Sequence, residues 1–357
     1  MSVPELLQRT EYGLYCPAGD FYIDPWRAVP RAIITHAHAD HARWGSQSYL
    51  CSTTCKPLLE IRLPKAPIIE SQPFGKPLNI QGVSVSFHPA GHLLGSAQIR
   101  VEHNGIVWVV TGDYKREEDK TCEAFELVPC NGFITETTFG LPVYRWQNQE
   151  LIFNQINEWW KENQEQGRTS MLYGYSLGKA QRLLGGVDRQ IGPILIHGAL
   201  DKLTKAYKDA SIDLPDVLPA SPENAAATKG KALVVAPPSA HSTPWAKKFA
   251  PYSSAFASGW MSVRGRRRNQ SLDRGFVLSD HVDWPSLIQT VKETGAETVW
   301  TTHGYADIVS RYLREIGINS VPLETSFTGE GFDDDLIESE VVVNSDSADS
   351  LRAEPES

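Results

Sequence analysis

The chain has no excess of positive charge, few cysteines and no long apolar run. Nowhere do its 357 residues approach the roughly 18 consecutive apolar positions that suggest a membrane-spanning helix, so no membrane is expected among its partners. The opening, M-S-V-P-E-L-L-Q-R-T-E-Y-G, has no basic flank followed by an apolar stretch. Neither a secretory leader nor a lipidation motif is read, and the expected location is the cytoplasm. The five cysteines are odd in number, which argues against a disulfide framework in a chain of this length. Cys51 and Cys55 form one C-x-x-x-C pair with no second pair to complete a zinc finger, so they read as reduced thiols. Internal repeats of solenoid length are also missing.

What is present is a core. Hydrophobic residues make up 41% of the chain and aromatics 10%, which excludes a disordered protein. The formal net charge of −9 has a local origin: from Glu330 onward, ten acids accompany one base, Arg352, leaving 33 basic and 33 acidic residues elsewhere. Residues 329–357 are therefore expected to be an acidic, disordered tail. One basic run, Arg264 with Arg266, Arg267 and Arg268, is either a solvated loop or a phosphate contact.

Short buried-strand patterns end repeatedly in ligand-type residues. Residues 21–24 end at Asp24, and 31–35 run into His36. Residues 83–87 alternate, 106–111 (I-V-W-V-V-T) lead to Asp113, and 132–135 lead to Glu136. Residues 276–279 lead to Asp280 and His281, and 298–302 deliver His303. Between these lies a block of alternation. Helices are expected over 151–166, from 179 and over 285–294, with strands over 170–175, 191–197, 231–236 and 252–260. Rigid strands that end on a common rim place their loops together, where chemistry is carried.

The densest motif is T-H-A-H-A-D-H at residues 35–41. It sets His36 and His38 toward one point and Asp40 and His41 toward a neighbouring one. Imidazoles with a carboxylate suit Zn²⁺ or Mn²⁺. His92 in P-A-G-H-L-L-G-S-A, Asp113 and His303 in T-T-H-G add ligand types at further strand ends, and a carboxylate at Asp113 can bridge two cations.

These motifs together resemble the metallo-β-lactamase fold, and more narrowly the β-CASP nucleases. The resemblance extends to T-E-T-T-F-G around Glu136, S-D-H-V-D-W around His281, and a cap signature like Y-S-L-G-K-A-Q-R-L-L at residues 175–184. Segments 13–27 and 256–261 look most like the bacterial ligase-associated DNA exonucleases. The resemblance implies an α/β protein: a four-layer αββα core over 1–143 and 266–328, with an inserted α/β β-CASP cap over 144–265. It implies two divalent metal ions, Zn²⁺ or Mn²⁺: His36, His38 and His92 at one, Asp40, His41 and His303 at the other, Asp113 between them, and Asp24 orienting the histidine loop. Asp40, Glu136 and His281 are the expected catalytic residues, His281 as proton donor held by Glu136. Ser176, Lys179 and Arg266 are the candidate substrate contacts. DNA is the favoured nucleic-acid partner and RNA the other, with an ATP-dependent DNA ligase and a helicase as functional associates. The implied activity is exonucleolytic DNA repair, with an RNA-processing β-CASP ribonuclease as the alternative.

Other readings attach to other residues. Gly174-Tyr175-Ser176-Leu177-Gly178 fits the G-x-S-x-G elbow of serine hydrolases, for which Asp280 and His303 follow in order. That reading leaves the 35–41 motif without a purpose. A small-molecule hydrolase on the same fold would not need the cap signature or the Glu136 and His281 pair. A non-catalytic nucleic-acid scaffold would not need the full ligand set.

Overall fold

The computed structural model describes residues 4–263 and 272–323. Arg266 and the acidic tail lie outside the described residues. The chain divides into two compact units, one within Met1–Trp146 and Ser279–Gly329 and the other including Gln147–Leu278.

The first unit holds two sheets. One runs in sequence order through β1 (Gln8–Thr10), β2 (Gly13–Cys16), β3 (Phe21–Ile23), β4 (Arg31–Ile33), β5 (Ser48–Ser52) and β6 (Ile69–Gln72). The other contains β7 (Leu78–Ile80), β8 (Val83–Pro89), β9 (Ala97–His103), β10 (Ile106–Val110), β11 (Gly132–Glu136), β18 (Thr298–Thr302) and β19 (Asn319–Pro322), in the order β19-β18-β11-β10-β9-β8-β7. The inward faces of both sheets supply one core: Leu14, Phe21, Ile23 and Ile33 meet Phe87, Ile99, Val101, Trp108 and Trp300. The Trp108 and Trp300 rings cross edge to face with centroids 4.8 Å apart, a favoured aromatic geometry. Helix α1 (Lys56–Arg62) follows β5 and buries Leu58 and Leu59. On the other face of the second sheet, Val109, Phe133 and Val299 pack with Trp284, Leu287, Val309 and Leu313. Those last four come from helices α7 (Trp284–Glu293) and α8 (Ala306–Glu315).

Strand direction explains where the polar residues gather. β11 lies parallel to both β10 and β18, with Ile134 opposite Val110 and Glu136 opposite Thr302. Central parallel strands are covered on both faces, and G-F-I-T-E is buried along its whole length, Thr135 and Glu136 included. Asp113 and His303, which follow β10 and β18, and Glu136, the last residue of β11, emerge at one edge. β9 is antiparallel to β10, so the loop before it, which carries His92, reaches the same edge. In the first sheet β3 and β4 are parallel, with Ile23 opposite Ile33, and this brings Asp24 beside Thr35.

The second unit has one parallel sheet, ordered β14-β13-β15-β12-β16-β17: β12 (Thr169–Tyr173), β13 (Ile194–Ile196), β14 (Leu218–Pro219), β15 (Leu233–Ala236), β16 (Tyr252–Ala257) and β17 (Arg274–Phe276). Its helices include α2 (Gln149–Glu165), α3 (Lys179–Gly186), α4 (Asp201–Asp209), α5 (Pro222–Ala227) and α6 (Pro244–Lys247). Asn148 caps α2 by accepting from Glu150 N at 2.7 Å, satisfying an otherwise orphaned N–H. The strand expected over 276–279 instead spans Arg274–Phe276. There it pairs in parallel with β16, so the second unit extends to Leu278, past the expected return to the core at 266. No helix among the described residues is long and apolar enough to cross a membrane.

Candidate metal centre

The 35–41 loop is fixed from beneath before it presents any side chain. Asp24 sits at the end of β3 with φ 43°, a left-handed conformation uncommon for a residue with a side chain. Its carboxylate accepts from Thr35 N at 2.8 Å, from Thr35 Oγ1 at 2.6 Å and from His41 Nδ1 at 2.7 Å. His41 N and Ala42 N both donate to His38 O, closing a tight turn that aims Asp40 and His41. With Nδ1 of His41 committed to Asp24, its Nε2 is the ligand-type atom.

The same logic fixes the other rings. His92 Nδ1 donates to Asp280 O at 2.8 Å, and His36 Nδ1 lies 3.0 Å from Thr35 Oγ1. Their Nε2 atoms converge on Nδ1 of His38, at 3.1 Å from His36 and 3.2 Å from His92. Asp113 Oδ2 stands 3.5 Å from His36 Nε2 and 3.9 Å from His92 Nε2. His36, His38, His92 and Asp113 thus form one buried group able to hold a metal ion. Four donors about 2.1 Å from a tetrahedral ion would be about 3.4 Å apart, so the observed spacing fits a cation at their centre.

A second group consists of Asp40, His41 and His303. His41 Nε2 is 3.5 Å from Asp40 Oδ2 and 3.6 Å from Asp113 Oδ2. The His41 and His303 rings stack with centroids 5.2 Å apart. His303 has φ 57°, and Thr137 Oγ1 donates to its carbonyl, which holds that backbone in place. Asp113 Oδ2, a member of the first group, thus lies 3.6 Å from a ring nitrogen of the second. It gets there because Gly112 has φ 55° and lies so close to Thr35 that a Cβ would meet the threonine side chain at 2.6 Å.

The third group is Asp113, Glu136 and His281. Glu136 Oε2 accepts from His281 Nδ1 at 2.8 Å, and its Oε1 accepts from Tyr114 N at 2.8 Å. Trp146 Nε1 donates to His281 O at 2.8 Å and His281 N donates to Ser279 Oγ at 3.1 Å, so ring and backbone are both held.

Charge follows from burial and neighbours. Burial and the nearby His41 push His36 well below the usual histidine range, and burial with His281 does the same to His92. His303 is lowered too, chiefly by burial and His41. Neutral imidazoles are the ligand form. Burial opposes charge on His41, but Asp40, Asp113 and Asp24 outweigh it and raise its pKa well above the ordinary value. Burial likewise opposes ionisation of Asp113, yet His41 and His281 hold its carboxyl well below the carboxylate range. Burial raises Glu136, against the pull of His281.

All seven ligand-type residues read from the sequence are thus in the two groups, and Glu136 and His281 touch. Ser176 and Lys179 lie in the second unit, between β12 and α3. Lys179 is 2% exposed and its Nζ donates to Leu278 O at 2.7 Å, while Ser176 O accepts from Gln181 Nε2. Of the partners read for a Ser176 hydrolase, His303 stands in the second group with Asp40 and His41. Sequence reasoning gave no role to Thr35 or Trp146 and gave Asp280 a different one. Thr35 opens the histidine motif and could have been suspected. Asp280 acts through its backbone oxygen, which no side-chain pattern announces.

Comparison with known proteins agrees with this class. No family model matches the chain. A probable DNA ligase of Opitutus terrae is 31% identical over 312 residues, 87% of this chain and 30% of that protein. Cleavage and polyadenylation specificity factor 73 of Drosophila melanogaster is 29% identical over 184 residues, 46% of this chain and 26% of that protein. Endoribonuclease YSH1 of Gibberella zeae is 27% identical over 198 residues, 54% of this chain and 22% of that protein. The chain spans less than a third of the length of these relatives. A solved structure of a protein of unknown function from Enterococcus faecalis shares the fold, with a TM-score of 0.56 at 11% identity, covering 84% of this chain and 80% of that one. Fold and site define a mixed α/β protein with clustered histidine and aspartate ligand sets. Its homologues bear out the resemblance read from the motifs, that to the metallo-β-lactamase-fold β-CASP nucleases.

Proposed function

We propose that the chain is a β-CASP nuclease that hydrolyses phosphodiester bonds with two divalent cations, Zn²⁺ or Mn²⁺. The observation that carries this reading is the position of Asp113 Oδ2, within 3.6 Å of ligand nitrogens of both groups. One cation would be held by His36, His38, His92 and Asp113, the other by Asp40, His41, His303 and Asp113. Paired cations supply a nucleophile at neutral pH and offset charge on the phosphate oxygens. The protein's own residues do the rest. Asp24 and Thr35 keep the histidine loop rigid, so little reorganisation is needed as charge develops. Water adds to phosphorus and gives up a proton to solvent, the bond to the leaving oxygen breaks, and His281 gives that oxygen a proton which it then regains from solvent. Glu136 holds His281 Nδ1 at 2.8 Å, leaving Nε2 as the acid.

For the architecture, we propose the four-layer αββα arrangement, supported by a core between the two sheets of the first unit and another under α7 and α8. The second unit is read as the inserted cap. The favoured activity is DNA exonuclease in repair alongside an ATP-dependent DNA ligase, supported by the ligase-named relative that matches most of the chain. Relatives named as endoribonucleases favour RNA cleavage as the second reading. End-labelled single-stranded DNA, duplex DNA and RNA, each with Zn²⁺ and with Mn²⁺, separate the two. Shortening of labelled DNA with RNA left intact is expected, and internal cuts in RNA alone would move the assignment to the second reading. Asp113→Ala should abolish cutting in every arm while keeping the wild-type circular dichroism spectrum. Full activity in that variant would overturn the site.

A further inference from the structure

The chain that leaves Asp113 turns back along the loop carrying His92. Lys115 N donates to Ala90 O at 3.0 Å and Glu126 N to Pro89 O at 3.1 Å. The Cys122 thiol reaches Gly91 O at 3.4 Å. Gly91 has φ 74° and its backbone is pressed so tightly that a Cβ there would stand 2.2 Å from Lys115 O. This strap is internally braced: Lys115 Nζ and Asp119 Oδ2 pair at 2.7 Å with side chains only 2% and 3% exposed, and Asp119 Oδ1 accepts from Thr121 N at 2.7 Å.

Glu123 is the fastening point. Its Oε2 accepts from Gly95 N at 2.9 Å and its Oε1 from Thr54 Oγ1 at 2.6 Å. Thr54 lies in the turn between β5 and α1, and Ser52 on that side donates through Oγ to Gly95 O at 2.6 Å. The loop bearing His92 is therefore gripped at Pro89, Ala90, Gly91 and Gly95 by groups outside every motif. A carboxylate accepting a backbone N–H makes a strong, charge-assisted bond, and a metal site tolerates errors in ligand distance of only about 0.2 Å.

We infer that Glu123 is a positioning residue for the metal centre: by tying the His92 loop to the strap that leaves Asp113 and to the β5–α1 turn, it sets where His92 Nε2 stands relative to Asp113 Oδ2. The inference rests on the reading of these groups as cation ligands. Glutamine at 123 would keep an oxygen for Gly95 N and turn an amide toward the Thr54 hydroxyl. Alanine would release the loop.

Cobalt titration of the full chain, followed by affinity and by the visible spectrum of the bound ion, tests this without any assay of cutting. Glu123→Ala should weaken cobalt binding by about 10–100-fold, the usual cost of losing an outer-shell partner, and alter the spectrum. Glu123→Gln should stay near wild type. Wild-type affinity and spectrum in Glu123→Ala, or an equal loss in Glu123→Gln, would overturn it. If Glu123→Ala does not fold, Thr54→Val carries the test: weaker cobalt binding supports the tether, and unchanged binding overturns it. A wild-type chain that takes up no cobalt sinks the functional reading, and the inference with it.

Discussion

At the scale of single residues, the chemistry divides between groups that converge and groups that hold them. Asp113, His36, His38, His41 and His92 lie within a few ångströms of one another, and Asp24, Thr35 and Asp280 fix their ring orientations. His281 is in neither ligand set but borders both His92, with ring centroids 4.8 Å apart, and Asp113, with Nδ1 4.0 Å from Oδ2, and it is tied to Glu136 at 2.8 Å. Because it is read as the proton donor and not as a ligand, its removal should affect the reaction and not the cations. His281→Ala is expected to lower turnover by about 10²–10⁴-fold, the typical yield of a general acid, with metal content unchanged by elemental analysis. Loss of metal in that variant would place His281 among the ligands. The ligand-type residues were legible because each is polar, chemically suited to a cation and placed in a loop that follows a strand pattern. Lys179 was not. Its expected phosphate contact rested on a lysine at the start of a helix, but side-chain direction decides, and its ammonium is turned inward to Leu278 O.

At the scale of elements, parallel pairing of β10, β11 and β18 is what turns three separate strand ends into one rim. The turn at Gly112 then lets Asp113 approach the histidine loop. An alanine there would be strained at φ 55° and would meet Thr35 at 2.6 Å, and Thr35 is the residue that Asp24 grips. Gly112→Ala should cost roughly 1–3 kcal/mol, read as a lower midpoint in urea unfolding. An unchanged midpoint would show that the strand end does not press on the loop. β10, β11, β15 and β18 were readable from sequence because nearly continuous apolar runs leave little choice of state, whereas β9, whose A-Q-I-R-V-E-H mixes polar and apolar residues, was not read. β7 and β14 were not, since two or three residues do not complete a recognisable alternation. β17 was displaced because its partner β16 set its limits, a tertiary effect invisible to local pattern.

At the scale of the whole molecule, the charge balance separates a neutral body from an acidic end. The −9 of the chain therefore says little about the rim where the ligands meet. Anomalous scattering from crystals grown with Mn²⁺ addresses the paired-cation site directly. Two peaks about 3.5–4 Å apart are expected, one among His36, His38, His92 and Asp113, the other among Asp40, His41, His303 and Asp113. A single peak, or peaks that leave Asp113 uncoordinated, would contradict a shared carboxylate between two ions.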